Sequence, residues 1–167
     1  GSNVSSSRSR LREPWTSRWI SMNTRHPAPG GPDPVSLDAA ILASLRRAGE
    51  QPVSGADLAQ QLGVTRAAVW ARIDELRTLG YEIDASPHRG YRLVSAPDVL
   101  LADDLLSQLD QPRVVGRDIR VFRETTSTND IAEKLARDGV KEGVVVFAES
   151  QTAGRGRLGR MWQSPAG

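Results

Sequence analysis

Residues 55–84 read GADLAQQLGVTRAAVWARIDELRTLGYEID, and this run spells two helices meeting across a very short turn. Ser54, with Asp57 three residues on, makes a capping-box-like start; Leu58 and Leu62 supply an apolar edge, and Gly63 stops the helix after barely two turns. Thr65 then caps a longer helix whose Val69, Ile73 and Leu76 lie at core spacing, and Gly80 ends it. Two helices joined by a short glycine-containing turn are the signature of a helix-turn-helix. Trp70, on the second of them, is expected to pack against a neighbouring helix.

Outward from this run the pattern continues on both sides. Upstream, Ser36 caps a helix with Leu37, Ile41, Leu42 and Leu45 on one face and Gly49 at its end. Downstream, YEIDASPHRGYRLV reads as two short alternating strands around the breaker residues Ser86 to Gly90, a hairpin wing. Three helices and a hairpin make the winged form of helix-turn-helix, ending near Val94. Ser95-Ala96-Pro97 opens a linker, and Val99, Leu100, Leu101, Leu105, Leu106 and Leu109 predict a second apolar helix ending near Asp110. Ile119 to Phe122 then reads as a strand, Asp130 to Arg137 as a helix stopped by Gly139, and Val144 to Ala148 as a buried strand. Strand, helix, strand points to an α/β domain. The expected class is α+β, with an extension and linker over residues 1–34, a winged-helix domain over 35–95 and the start of a mixed α/β domain over 96–167.

Composition narrows the chemistry. The chain has no cysteine and two histidines, which removes disulfides, thiol nucleophiles and any zinc site built from these residues alone, so no protein metal site is expected; a reducing cytoplasm fits. No apolar run approaches the roughly 20 residues that cross a bilayer. The pI of about 9.5 suggests nucleic acid. The excess is local, however: residues 1–25 hold five arginines against Glu13, while residues 35–95 carry seven basic and seven acidic side chains. A DNA reading must therefore rest on architecture and particular arginines rather than on bulk charge. The Ser/Arg-rich opening, with Gly1-Ser2 resembling a cloning scar, and the proline-rich lead-in HPAPGGPDP are left out of the fold.

The chemistry-bearing run is AESQTAGRGRLGRMWQSPAG, residues 148–167. Gly154, Gly156 and Gly159 satisfy G-x-G-x-x-G, but a dinucleotide turn must feed straight into a helix, and here Arg160-Met161-Trp162 runs on to Pro165. No Gly-Lys-Ser/Thr follows, so it is not a P-loop either. A mobile, glycine-permitted loop carrying Arg155, Arg157 and Arg160 suits a carboxylate or phosphate ligand, the plain alternative being a solvated basic loop. Upstream, Ser127 with Asp130 makes an ordinary capping box.

Two stretches carry a resemblance. GADLAQQLGVTRAAVWARIDELRTLGYEID followed by HRGYRL resembles the winged-helix domain of biotin-operon repressors, and GRGRxGRxW, with Gln151 upstream and Ser-Pro-x-Gly downstream, is similar to the biotin-binding loop of biotin protein ligases. Ser127-Thr128-Asn129 resembles that family's S-T-N segment. The resemblance implies a bifunctional biotin protein ligase and biotin-operon repressor, cut short after its biotin loop and so inactive or nearly so by itself. It implies biotin and ATP as substrates with Mg2+, a biotin carboxyl carrier protein and operator DNA as partners, and a homodimer on a palindromic site. Ser127, Thr128, Asn129, Gln151, Arg155, Gly156 and Arg157 would bind biotin. Arg155 and Arg157 would close over the reacting carboxylate and phosphate as catalytic groups, and Arg157, Arg160 and Trp162 would serve the adenylate. Thr65, Arg66 and Ala67 would lie nearest the DNA in the major groove, with Arg72 as a phosphate contact and His88 and Arg89, at the wing tip, touching the neighbouring backbone. The alternative is a DNA-binding or protein-interaction module of ligase ancestry without catalysis.

Overall fold

The computed structural model describes residues 36–109, 114–156, 158 and 160–162. The extension over 1–34, Arg157, Gly159 and the Ser-Pro-x-Gly element lie outside them. Helix α1 spans Leu37–Ala48, α2 Gly55–Leu62 and α3 Arg66–Thr78; β1 (Glu82–Ser86) and β2 (Gly90–Ser95) form the antiparallel wing. Each helix starts on the expected hydroxyl: Ser36 accepts from the Ala39 amide, Ser54 from Ala56 and Thr65 from Ala68. Gly63 takes the left-handed conformation, φ 66°, that lets the chain reverse between α2 and α3.

Ile41, Leu42 and Leu45 of α1, Leu58 of α2, Val69, Ile73 and Leu76 of α3, and Tyr81 and Ile83 of the wing close into one core. The wing has a third, one-residue member absent from the sequence reading: Val53 exchanges two 2.8 Å backbone hydrogen bonds with Tyr91. Gly90 makes this possible. Its φ is +109°, and a β-carbon there would lie 2.1 Å from the Val53 carbonyl oxygen, so no other residue fits without moving the backbone.

Beyond the wing the helix over Val99 to Leu109 is shorter than expected. Helix α4 covers Ala102–Ser107, and Val99 and Leu109 are exposed. Its cap residue Leu101 offers no side-chain acceptor, Asp103 and Asp104 favour the helix start at Ala102, and the Leu100 amide instead donates to Glu149 Oε1 at 2.6 Å. Helix α4 lies against α1. Ser36 donates to Asp103 at 2.5 Å, Arg46 Nη2 pairs with Asp104 at 2.5 Å, and the Tyr81 hydroxyl donates to the same Asp104 at 3.1 Å. Burial, and then Asp104, push the Tyr81 hydroxyl's pKa well above its usual value.

Strand β3 (Asp118–Thr125), helix α5 (Thr128–Arg137) and strand β4 (Val144–Gln151) form a parallel strand–helix–strand unit, in register from Asp118 with Val144 to Thr125 with Gln151. Strand β4 is half-buried rather than buried, and Phe147 is exposed, because among the described residues it has one strand neighbour and one covering helix. No helix among the described residues is long and apolar enough to cross a membrane.

Candidate functional site

Parallel register brings the two distant motifs together. Thr125 and Gln151 are partners at the carboxyl ends of β3 and β4, so the start of α5 and the arginine loop leave the sheet from the same edge, where ligands of parallel α/β sheets bind. Three successive residues at the start of α5 then reach the loop. The Thr128 amide and hydroxyl donate to Gln151 Oε1 at 2.8 and 3.2 Å, Asn129 Nδ2 donates to the Arg155 carbonyl at 3.2 Å, and Asp130 forms an ion pair with the Arg155 guanidinium.

Backbone hydrogen bonds join the described residues on the two sides of the loop. Arg155 bridges Met161, the Gly156 amide donates to the Arg160 carbonyl at 2.7 Å, and the Trp162 amide donates to the Gly154 carbonyl at 2.8 Å. Gly154, which the sequence reading did not assign to the site, is needed for this closure: a β-carbon on it would lie 2.4 Å from the Trp162 carbonyl oxygen. An open hollow of about 390 Å3 is lined by Asn129, Ala132, Glu133, Arg155 and Gly156. Arg160 and Trp162 are exposed on the hairpin's second arm.

Ser127 corrects the capping-box reading. It occupies the N-cap position but makes no cap bond with its side chain, and Asp130 is turned to Arg155 instead. The Ser127 hydroxyl is fully buried, and its Oγ has no hydrogen-bond partner among the described residues. Leaving such a buried hydroxyl without a partner costs about 1–3 kcal/mol.

On the winged half, Thr65, Arg66 and Ala67 are exposed at the start of α3, and His88 and Arg89 are exposed at the wing tip, where His88 has φ 64°. Arg72 differs from the sequence reading. Its guanidinium turns inward, Nε bonding Asp38 Oδ1 at 2.6 Å, Nη2 reaching the other carboxylate oxygen and Nη1 bonding Glu75 at 2.7 Å. Asp38 is 2% exposed, and its hydrogen bond raises the pKa of Arg72 further. A guanidinium held this way anchors α3 to α1 and is not turned to a phosphate. Trp70 is also a correction: it is 58% exposed on α3, because the inward rows of that helix are filled by Val69, Ile73 and Leu76 and by Arg72.

Residues 39–92 match the HTH domain family and residues 121–167 match the biotin/lipoate A/B protein ligase family. The chain is thus a helix-turn-helix domain followed by the opening of a biotin/lipoate protein ligase domain. Among curated proteins it is similar to the bifunctional ligase/repressor BirA of Bacillus subtilis, 39% identical over 127 residues that cover 76% of this chain and 39% of that protein. BirA of Escherichia coli is 40% identical over 115 residues, 68% of this chain and 34% of that protein. A probable transcription repressor NiaR of Thermotoga maritima is 52% identical over 44 residues, 26% of this chain and 25% of that protein. Both domains, in this order, make the chain similar to the amino-terminal portion of bifunctional ligase/repressors; it spans 34–39% of the length of the two BirA proteins.

Proposed function

We propose that this chain is the DNA-reading and biotin-sensing portion of a cytoplasmic biotin protein ligase that also acts as a biotin-responsive repressor. The observation that carries the proposal is the site at the carboxyl ends of β3 and β4, where Thr128 and Asn129 grip Gln151 and Arg155 beside the buried, unpartnered Ser127 hydroxyl. In the proposed reaction a biotin carboxylate oxygen attacks the α-phosphate of ATP, pyrophosphate leaves, and biotinyl-adenylate forms. A lysine amine of a biotin carboxyl carrier protein then attacks the acyl carbon and AMP leaves. The protein supplies orientation and charge rather than a nucleophile. Ser127, Thr128 and Gln151 would hydrogen-bond biotin's ureido ring while Asn129 shapes the pocket. Arg155, Gly156 and Arg157 would cover the carboxylate and phosphate, and Arg160 and Trp162 the nucleotide. Among the described residues no three His, Cys, Asp or Glu side chains gather to hold a metal ion; Mg2+, which takes one or two carboxylates plus substrate phosphates, would come with ATP and share its phosphate charge.

For operator DNA, Thr65, Arg66 and Ala67 would enter the major groove with His88 and Arg89 on the flanking backbone. A homodimer would double the few cations that each copy offers, since phosphate contacts supply most nonspecific affinity. The reading is tested by calorimetric titration of biotin, and then of a nonhydrolysable biotinyl-adenylate analogue, into the chain and into Arg155→Ala. Saturable binding weakened at least about tenfold in the variant is expected, the loss of a charge-assisted contact worth about 1.5–3 kcal/mol. No binding by a folded chain overturns the loop's role as a clamp.

A further inference from the structure

The Arg155–Asp130 ion pair is not needed to shape the loop. Backbone hydrogen bonds between Gly154 and Trp162 and between Gly156 and Arg160 already close the hairpin, and Asn129 already fastens the Arg155 carbonyl to α5. Both charged side chains are about half exposed, 55% and 44%, and a pair in that setting adds little to folding. What the pair does is chemical. It puts a carboxylate on the guanidinium of the loop's first arginine, at the rim of the hollow lined by Asn129, Arg155 and Gly156. The other carboxylate of that hollow, Glu133, is engaged 3.0 Å away by Arg137 one helical turn on, which leaves Asp130 as the described carboxylate on Arg155.

We infer that Asp130 is a built-in counter-anion for Arg155: its carboxylate holds the guanidinium Nη2 that an entering carboxylate or phosphate needs, and the ligand must displace it. The inference rests on reading the loop as the clamp for biotin and its adenylate, and it goes further by assigning a selectivity role to a residue outside the motif. A carboxylate ligand that takes Arg155 through Nη2 competes with Asp130 for that donor and for the guanidinium charge. A neutral ligand has nothing to exchange for the pair. The loop therefore answers to ligands carrying negative charge, and Asp130 sets how much affinity is given up to make that distinction. The weakness of a half-exposed pair keeps the displacement within reach of a single anionic group.

The test is calorimetry of biotin, of biotinol (the neutral alcohol of the same shape) and of the nonhydrolysable adenylate analogue with wild type, Asp130→Asn and Arg155→Ala. Asp130→Asn should bind biotin and the adenylate analogue about two- to fivefold more tightly, matching the modest worth of exposed ion pairs, and biotinol as wild type does. Asp130→Ala, read beside a thermal melt, guards against a folding defect and should show the same ordering. Unchanged or weaker biotin binding by folded Asp130→Asn, or an equal shift for biotin and biotinol, overturns the inference. It leaves the clamp reading intact if Arg155→Ala still loses binding. If wild type binds none of the three ligands, the clamp reading falls and this inference with it.

Discussion

The two halves of this chain hold themselves together in different ways. From Ala39 to Ile83 apolar side chains from three helices and the wing are driven into one closed core, whereas among the described residues of the ligase segment Ile119 is the lone buried hydrophobic and α5 has no buried residue. The segment's order comes instead from directional bonds: the parallel ladder of β3 and β4, and the contacts from Thr128, Asn129 and Asp130 to the arginine loop. The winged half is held mainly by excluded water, the described ligase segment mainly by directional bonds.

The contrast breaks most visibly under truncation of a core side chain. Ile73→Ala is expected to cost about 2–5 kcal/mol, while Val146→Ala on half-buried β4 costs about 1 kcal/mol; urea denaturation of both variants measures the gap, and equal losses would erase the distinction. Next comes Arg72→Ala, which strands the buried Asp38 carboxylate. Because the Arg72 side chain is itself 20% exposed, the buried-pair cost is discounted to about 2–3 kcal/mol, and the loss should appear in the melting curve of the free protein. A fall confined to DNA affinity would restore Arg72 as a phosphate contact.

The smallest effect lies at the seam between α1 and α4. Burial raises the Asp103 carboxyl's pKa above its usual value, against the opposing pull of the Ser36 hydrogen bond. A folded state that holds a proton more tightly than the unfolded chain gains stability below the unfolded pKa and loses it as the pH rises through the folded one. Asp103→Asn keeps an acceptor for Ser36 and removes that loss. It should be slightly more stable than wild type near about pH 7, with the difference closing near about pH 4; a gap that widens on acidification would contradict this.

Much of the winged half was legible because its punctuation is local. Ser36, Ser54 and Thr65 begin helices, Gly49, Gly63 and Gly80 end them, and Ile41, Val69 and Ile73 fall at core spacing. What stayed hidden depends on partners far along the chain. Nothing near Val53 signals that it will pair with Tyr91, and nothing near Arg72 signals a buried aspartate 34 residues upstream. The helix over Val99 to Leu109 was overdrawn because hydrophobic periodicity does not register a missing cap. For the site, the motifs were visible as motifs, but the bonds from α5 to Gln151 and Arg155 follow from the parallel register, and Asp130 was read as half of a local capping box.

Gly90 bears on how the wing can vary. With Val53 pressed against it, the base of the hairpin accepts no side chain, so inserted or exchanged residues fit at the tip formed by Pro87, His88 and Arg89. Changes in the tip's length and charge are thus accommodated while a side chain at the base is not, a division between a fixed socket and an exchangeable bit.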